Sequence, residues 1–264
     1  MNILLFDVET TGLKPQKSFI LSNGALLYNT ETGKTSEFYE VLNWKQIMSN
    51  FYIPEDTIAV HGITENEMIS SGIHPLTSMS NFYNWIKDFT ADNSGKINVC
   101  VAFNLPFDLN MYVSNLKYLV NMYCKNFAVD STEAENCKEL LNIFTKDYSK
   151  ENTEESDEIL FIDSMIVDQI FHFEVDGEKV YHNLDAVGNR YGLLSDPNAH
   201  NAIADTRRMF EVFKIQLQEI ENKGLSLNQK FENRLIKRFN RNNDLWKKKD
   251  SLDYLATNMK AASL

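Results

Sequence analysis

Residues 2–13 read NILLFDVETTGL, and this stretch decides the fold because it places two acids inside an apolar strand. Side chains alternate between the two faces of a strand, so Asp7 and Glu9 share one face. Burying two like charges costs several kcal/mol each unless a cation compensates. The pair therefore predicts either an edge strand with both carboxylates in water or a site for a divalent metal ion, which prefers oxygen ligands.

Two further acids interrupt apolar segments. Asp108 lies in VAFNLPFDLNMY, and Asp205 lies in AHNAIADTRRMFEVF with His200 five residues upstream. Taken alone, each has an ordinary explanation, because a carboxylate in the first turn of a helix is favoured by the helix dipole. A histidine before that turn is equally ordinary in a loop. A metal site needs more ligands than Asp7 and Glu9, so these residues are the next candidates.

Composition sets the class of protein. The 264 residues are 43% apolar and 24% charged, enough for one large domain or for a domain of about 200 residues with an appendage. No window of about 18 uncharged apolar residues occurs, so we expect a soluble, cytoplasmic protein. Cys100, Cys124 and Cys137 lack metal-site spacing and are expected to be free thiols. The net charge of -11 argues against a general nucleic-acid coat protein.

The order of segments predicts an α/β fold with a mixed β-sheet flanked by helices. Three strand-like segments come first, and strands then alternate with helices up to a long amphipathic helix that ends near Gly224. We place one domain at residues 1–222. Residues 130–158, with ten acidic and three basic residues, are interpreted as an insertion that forms a solvated helix or is partly disordered. Residues 223–264 are predicted to be a basic helical C-terminal extension.

Five segments, spanning about residues 1 to 220, resemble the DEDDh family of 3′-to-5′ exonucleases. The three catalytic motifs correspond to FDVETTGL, VAFNLPFD and AHNAIADTRRMFEVF, and the intervening segments to IPEDTIAVHGITENEM and FIDSMIVDQIF with HNLDAVGNRYGL. A sister group has tyrosine four residues before the last aspartate, where this chain has Asn201. One departure is Phe103, where many relatives have histidine.

The resemblance implies a ribonuclease-H-like fold and a catalytic set. Its four acidic ligands correspond to Asp7, Glu9, Asp108 and Asp205, and its general base corresponds to His200. The cofactors implied are two Mg²⁺ or Mn²⁺ ions, about 3.5 to 4 Å apart in such sites. Asp7 would bridge the ions, Glu9 and Asp205 would hold the ion that activates water, and Asp108 would support the other.

The resemblance also implies contacts to a terminal nucleotide. The residues at those positions are Thr10, Thr11, Gly12, Val60, His61 and Phe107. Phe107 has an alternative interpretation as a core residue, and His61 as a hydrogen-bonding loop residue. Where an aromatic side chain does stack on a base, the contact is worth about 1 to 3 kcal/mol and tolerates any sequence.

The expected function is metal-dependent exonuclease activity at single-stranded 3′ ends, with DNA slightly favoured and proofreading as one setting. The alternatives are an RNA-trimming exoribonuclease, a catalytically silent nucleic-acid-binding module and an endonuclease of the same fold. The amphipathic, basic character of residues 223–264 favours packing against protein, either a polymerase or the chain itself. No membrane partner is expected.

Overall fold

The structure is a computed structural model that describes residues 1–92, 95–126, 131–145, 159–172, 174–175, 178–194 and 200–222. Within these residues, none of the helices is long and apolar enough to cross a membrane. Cys100 and Cys137 are buried thiols, as expected. The predicted C-terminal extension lies outside the described residues, so the domain boundary near residue 222 stays a prediction.

A mixed five-stranded sheet forms the centre of the molecule, in the order β3-β2-β1-β4-β5. The strands are β1 (Asn2–Thr10), β2 (Ile20–Asn29), β3 (Thr35–Val41), β4 (Val99–Ala102) and β5 (Leu160–Asp163). The first three are antiparallel, whereas β1, β4 and β5 are parallel. A separate two-stranded ribbon is formed by β6 (Glu174–Val175) and β7 (Glu178–Lys179).

Helices cover both faces of this sheet. They are α1 (Glu55–His61), α2 (Glu65–Ser71), α3 (Pro75–Thr90), α4 (Leu105–Val120), α5 (Thr132–Thr145), α6 (Ser164–Phe171), α7 (Leu184–Arg190) and α8 (Ala202–Asn222). Short 3₁₀ and π segments occupy Trp44–Gln46 and Asn121–Asn126. The mixed sheet with helices on both sides confirms the fold class predicted from the sequence.

Strand β1 is central because both of its faces are apolar. Leu4, Phe6 and Val8 belong to the core cluster beneath α3, α4 and α5. Ile3 and Leu5 belong to the other cluster, which includes residues of α6 and α8. The burial of alternate residues on opposite faces explains why the opening strand reads as a nearly continuous apolar run.

The acidic segment differs from its prediction. Within it, α5 packs against α3 and α4, and its apolar side chains Ala134, Cys137, Leu140 and Phe144 are buried. The prediction of a solvated or disordered insertion is therefore wrong for this helix. Its apolar residues recur every three or four positions, and the acidic residues lie between them, so net charge concealed an amphipathic helix. Residues 146–158 lie outside the described part of the chain.

Strand β4 is shorter than β1, so the carboxyl-terminal end of β1 is unpaired on that side. The parallel pairing with β4 covers residues 3–5 of β1, so the end of β1 extends beyond its neighbour. Helix α4 follows β4 closely. Its N-cap residue, Asn104, has a left-handed backbone conformation (φ 68°) that turns the chain into the helix. The carboxyl ends of β1, β4 and β5 thus meet at one edge, where open α/β sheets place their ligands.

Candidate active site

Asp7 and Glu9 lie on the face of β1 that α8 covers, the same face as Ile3 and Leu5. Both acids are partly buried, whereas the alternating Phe6 and Val8 are fully buried on the opposite face. The alternation predicted from the sequence thus places both carboxylates on one side of the central strand.

Helix α8 reaches this strand because Gly24 has no side chain. Gly24 of β2 pairs with Asp7, and a Cβ atom at Gly24 would lie only 2.3 Å from the carbonyl carbon of Ala202. The Thr206 hydroxyl also donates a hydrogen bond to the Gly24 carbonyl oxygen at 3.1 Å. The close approach brings Asp205, in the first turn of α8, to the two acids of β1.

Three carboxylates consequently form one cluster. Oxygens of Asp7, Glu9 and Asp205 all lie within 4.8 Å of one another. Asp108 approaches from the first turn of α4, where it is 2% exposed, and its Oδ1 accepts a hydrogen bond of 3.3 Å from the backbone N–H of Val8. The structure therefore brings together all four acids that the sequence singled out.

Burial and mutual repulsion raise the pKa values of Asp7, Glu9 and Asp108. Burial is the largest cause for Asp7, followed by the charges of Asp108, Glu9 and Asp205. Burial and Asp205 raise the pKa of Glu9 to about 8, and burial raises that of Asp108. The ion pairs formed within the described residues include none to Asp7, Glu9 or Asp108. Enclosed carboxylates of this kind are stabilised by a cation.

The chemistry of the donors fits a divalent metal ion. Carboxylate oxygens are hard ligands, and Mg²⁺ takes one or two of them while keeping several waters. Asp7, Glu9 and Asp205 are close enough to share one ion. Asp108 lies next to the backbone of β1, and the hydrogen bond from the Val8 N–H already occupies one of its oxygens.

His200 lies at the entrance to α8. Its backbone is left-handed (φ 67°), its side chain is exposed, and its backbone N–H donates to Asp205 Oδ2 at 3.2 Å. This turn connects the histidine directly to an acid of the cluster. The exposed side chain of His200 is accessible to water.

A cleft of about 640 Å³ opens beside Glu9. All six residues predicted to contact a terminal nucleotide line it, namely Thr10, Thr11, Gly12, Val60, His61 and Phe107. Two apolar side chains on the cleft are solvent-exposed: Leu13, at 83%, and Val60, at 56%. The size lies in the range of about 300 to 1,000 Å³ found for small-molecule sites.

Several of these residues also shape the cleft. The Thr10 hydroxyl donates to the Gly12 carbonyl at 2.8 Å, and the Thr11 hydroxyl accepts from the Phe19 N–H at 2.9 Å. His61 Nδ1 accepts from the Ile63 N–H at 3.0 Å, which is the loop hydrogen bond weighed for this residue. The threonine hydroxyls therefore stabilise the loop after β1, and its backbone forms the cleft wall.

His61 and Phe107 both line the cleft, and each also has the structural role considered as its alternative. His61 Nε2 is buried and has no hydrogen-bond partner among the described residues. Phe107 lines the cleft and is also partly buried against the core cluster of α4. A core contact and a place in the cleft wall are thus compatible for Phe107.

No family model and no curated protein matches the chain by sequence. Among solved structures, E. coli exonuclease I in complex with a dT13 oligonucleotide aligns with a TM-score of 0.55 at 15% identity, over 84% of this chain and 42% of that one. Exonuclease I from Methylocaldum szegediense aligns with a TM-score of 0.54 at 14% identity, over 84% and 41%. Cell-death related nuclease 4 (CRN-4) aligns with a TM-score of 0.53 at 13% identity, over 84% and 64%.

The chain has the DEDDh exonuclease fold. The resemblance inferred from the motifs is confirmed at this level. The chain spans about two fifths of the length of the exonuclease I chains that it matches. The DEDDh fold also accounts for why motifs far apart in sequence meet at one edge of the sheet.

One acid near Asp108 was not predicted as a site residue from the sequence. Asp163, at the end of β5, accepts hydrogen bonds of 3.0 Å from the backbone N–H groups of Asn104 and Met165. It thereby caps α6 and holds the turn that starts α4 and carries Asp108. Burial raises the pKa of Asp163 to about 6. The signal was an acid ending the apolar run ILFID, the same pattern as Asp7.

Proposed function

We propose that this chain is a metal-dependent 3′-to-5′ exonuclease that hydrolyses phosphodiester bonds at single-stranded DNA ends. The observation that carries the proposal is the cluster of Asp7, Glu9 and Asp205 directly beside a cleft lined by the loop after β1 and by α1. The cluster offers a place for the reacting phosphate, and the adjacent cleft offers a place for the terminal nucleotide.

Asp7, Glu9 and Asp205 would hold the metal ions, with Asp108 in support. When bound at such carboxylates, two Mg²⁺ or Mn²⁺ ions supply positive charge that stabilises an in-line displacement at phosphorus. The raised pKa values of the acids support this assignment, because a bound cation favours their ionised forms.

His200 would accept the proton of the attacking water. Histidine side chains gain and lose protons near neutral pH, which suits a general base. The contact between its backbone N–H and Asp205 supports this role, because it holds the residue next to an acid of the cluster. Exposure of the ring allows the proton to pass on to solvent.

The cleft would select an end over an internal bond. Backbone groups of Thr10, Thr11 and Gly12 would hold the terminal sugar, and Val60, His61 and Phe107 would contact its base. Exposed apolar side chains such as Val60 and Leu13 favour this assignment, since they gain from covering by a base. Such contacts read no sequence, in keeping with a nuclease that removes any terminal nucleotide.

We favour DNA over RNA because exonuclease I, which shares the fold, has been crystallised with single-stranded DNA. A proofreading role is the finer form of the proposal, and it requires that mispaired 3′ ends be removed faster than paired ones. Residues 223–264 are proposed to bind a protein partner, because their basic, amphipathic sequence suits such packing.

The test is a 5′-labelled oligonucleotide incubated with the protein and Mg²⁺. We expect a ladder shortened from the 3′ end, faster on DNA than on a matched RNA, and none after chelation of the metal. A circular single strand of the same composition is the control and should persist. Cleavage of the circle, or no product with Mg²⁺ or Mn²⁺ between about pH 6 and 9, would refute the proposal.

A further inference from the structure

Tyr39 lies next to the candidate site, although no motif includes it. The register of the sheet aligns Asp7, Gly24 and Tyr39 in one row across β1, β2 and β3. Directly paired residues of antiparallel strands project to the same face, so Tyr39 and Asp7 share the face covered by α8. The start of α8 occupies the space above Gly24, between the acid and the phenol.

The phenol contacts the turn that carries His200. Asn201 Nδ2 donates a hydrogen bond to Tyr39 Oη at 3.4 Å, and Asn201 Oδ1 accepts from the Ala204 N–H at 3.4 Å. The side chain of Asn201 therefore caps α8 with one end and binds the sheet with the other. Reversing the amide would turn Nδ2 toward the Ala204 N–H and break the cap, so the backbone of α8 fixes the amide and directs Nδ2 to Tyr39.

A second polar group lies beneath the same phenol. Ser22 pairs with Glu9 across β1 and β2 and is fully buried, and its hydroxyl has no partner of normal hydrogen-bond geometry within the described residues. It is close enough to Tyr39 to favour the ionised phenol, although burial raises the pKa of Tyr39 overall. Tyr39 is thus placed between a hydroxyl of the sheet and the cap of α8.

The turn needs such support because His200 has a conformation that non-glycine residues rarely adopt (φ 67°). A left-handed backbone persists only where surrounding contacts hold it. One contact is the hydrogen bond from the His200 N–H to Asp205 Oδ2. The hydrogen bond from Asn201 to Tyr39 is a second contact, and it joins the turn to β3.

We propose that Tyr39 is a positioning residue that fixes the His200–Asn201 turn against β3 and so places the imidazole of His200. The catalytic part of this inference rests on the function proposed above. The positioning part depends only on the contacts of the turn, and it is measured without activity.

The first experiment is hydrogen exchange at the backbone amides of residues 200–205 in the full chain. Removing the hydroxyl in Tyr39→Phe should speed exchange there about fivefold, the factor for one lost hydrogen bond. The control is Tyr28→Phe, because Tyr28 of β2 packs against Phe210 of α8 away from the cluster. Unchanged exchange in Tyr39→Phe, or the same acceleration in both variants, would overturn the proposal.

The second experiment measures exonuclease kinetics. Tyr39→Phe should lower kcat roughly three- to tenfold with KM within about twofold, because the imidazole is misplaced while the terminal nucleotide still binds. Asn201→Ser keeps a capping oxygen for α8 but removes the donor to Tyr39. If Tyr39 acts through Asn201, the double variant should be no slower than the slower single variant.

Multiplied losses in the double variant, or a raised KM with unchanged kcat, would show that Tyr39 acts elsewhere. A wild-type protein without nuclease activity would refute the proposed function and leave the exchange experiment to decide the positioning role. The two failures are therefore distinguishable.

Discussion

Two carboxylate sites lie along α8, and they differ in whether the protein supplies a counter-charge. Asp205 in its first turn joins Asp7 and Glu9, whereas Glu219, about 21 Å further along the helix axis, belongs to a network around Asp168. The first site consists of acids that raise one another's pKa values. The second pairs its buried acid with the guanidinium of Arg190.

The Asp168 network shows how this fold stabilises a carboxylate for structure alone. Asp168 is fully buried, and it accepts hydrogen bonds from Arg190 at 2.7 and 2.9 Å and from His182 at 2.6 Å. His172 lies 3.3 Å from its other side. Burial alone would raise the pKa of Asp168, but hydrogen bonds from His172, His182 and Arg190 outweigh it and the pKa is lowered.

The contrast indicates what each site requires. Asp168 already has Arg190 as a counter-charge, so its network completes the packing of α6 and α7. Asp7 and Glu9 receive no such ion pair within the described residues, so their charge requires a ligand from outside. Four experiments test this contrast.

The largest expected effect is on activity in Asp7→Asn. Loss of a carboxylate that holds the metal should remove several kcal/mol of transition-state stabilisation, or roughly a thousandfold in the rate of 3′-end hydrolysis. The matched control is Asp88→Asn, an exposed position on α3, which should keep the wild-type rate. More than a tenth of the wild-type rate in Asp7→Asn would contradict the assignment.

The next effect is on stability in Asp168→Asn. Removing one partner of a buried charge network leaves Arg190 uncompensated and should lower the free energy of unfolding by about 3 kcal/mol, measured in urea. The specific activity of the folded protein should stay within about twofold. Asp7→Asn should instead stabilise the metal-free protein, since it removes a like charge. Changes in the same direction would break the comparison.

A smaller effect concerns the cleft. Val60→Ala removes two exposed methyl groups, and we expect KM for a single-stranded oligonucleotide to rise roughly fivefold with little change in stability. Ile69→Ala is the control, because Ile69 on α2 is similarly exposed, at 50%, but does not line the cleft. Equal values of KM for the two variants would remove Val60 from the substrate site.

The smallest effect is a pH dependence of the metal-free protein. Burial raises the pKa of Glu9 from an ordinary 4.5 to about 8, so the folded state binds an extra proton between these values. The stability that this extra proton on Glu9 contributes is complete below about pH 4.5 and is lost as pH rises through 8. The midpoint temperature of thermal unfolding should therefore be lower at pH 8.5 than at pH 5.5. The decrease should be about 2 to 4 °C for each kcal/mol of unfolding free energy that is lost.

Glu9→Gln should reduce this slope, while the raised pKa values of Asp7, Asp108 and Asp163 keep part of it. Mg²⁺ should raise the midpoint more at pH 8.5 than at pH 5.5. Asp168 contributes nothing to the slope, because its lowered pKa keeps it ionised throughout this window. A midpoint that rises with pH in the absence of metal would contradict the pKa of Glu9.

The sequence was sufficient for the parts of the site that depend on local pattern. Alternation along β1 placed Asp7 and Glu9 on one face, and acids after apolar runs indicated Asp108 and Asp205. The order of strands and helices likewise predicted the mixed sheet. These features depend on periodicity and on the sequence order of segments, which a single chain displays directly.

The rest depends on pairings between distant segments. The role of Gly24 follows from its register opposite Asp7 and from the crossing of α8, neither of which is visible in the residues around it. Tyr39 and Asp163 act through contacts to Asn201 and Asn104 that only the folded chain creates. The buried face of α5 was hidden because its acidic residues dominate a count of charge.

The distance along the chain between Asp7 and Asp205 has a consequence for the newly made protein. Synthesis proceeds from the N-terminus, and the N-terminal part of a chain starts to fold first. A nascent chain that ends before α8 contains Asp7, Glu9 and Asp108 but lacks Asp205 and His200. Because α8 must still dock against Gly24 to supply them, the carboxylate cluster is complete only after α8 has emerged from the ribosome.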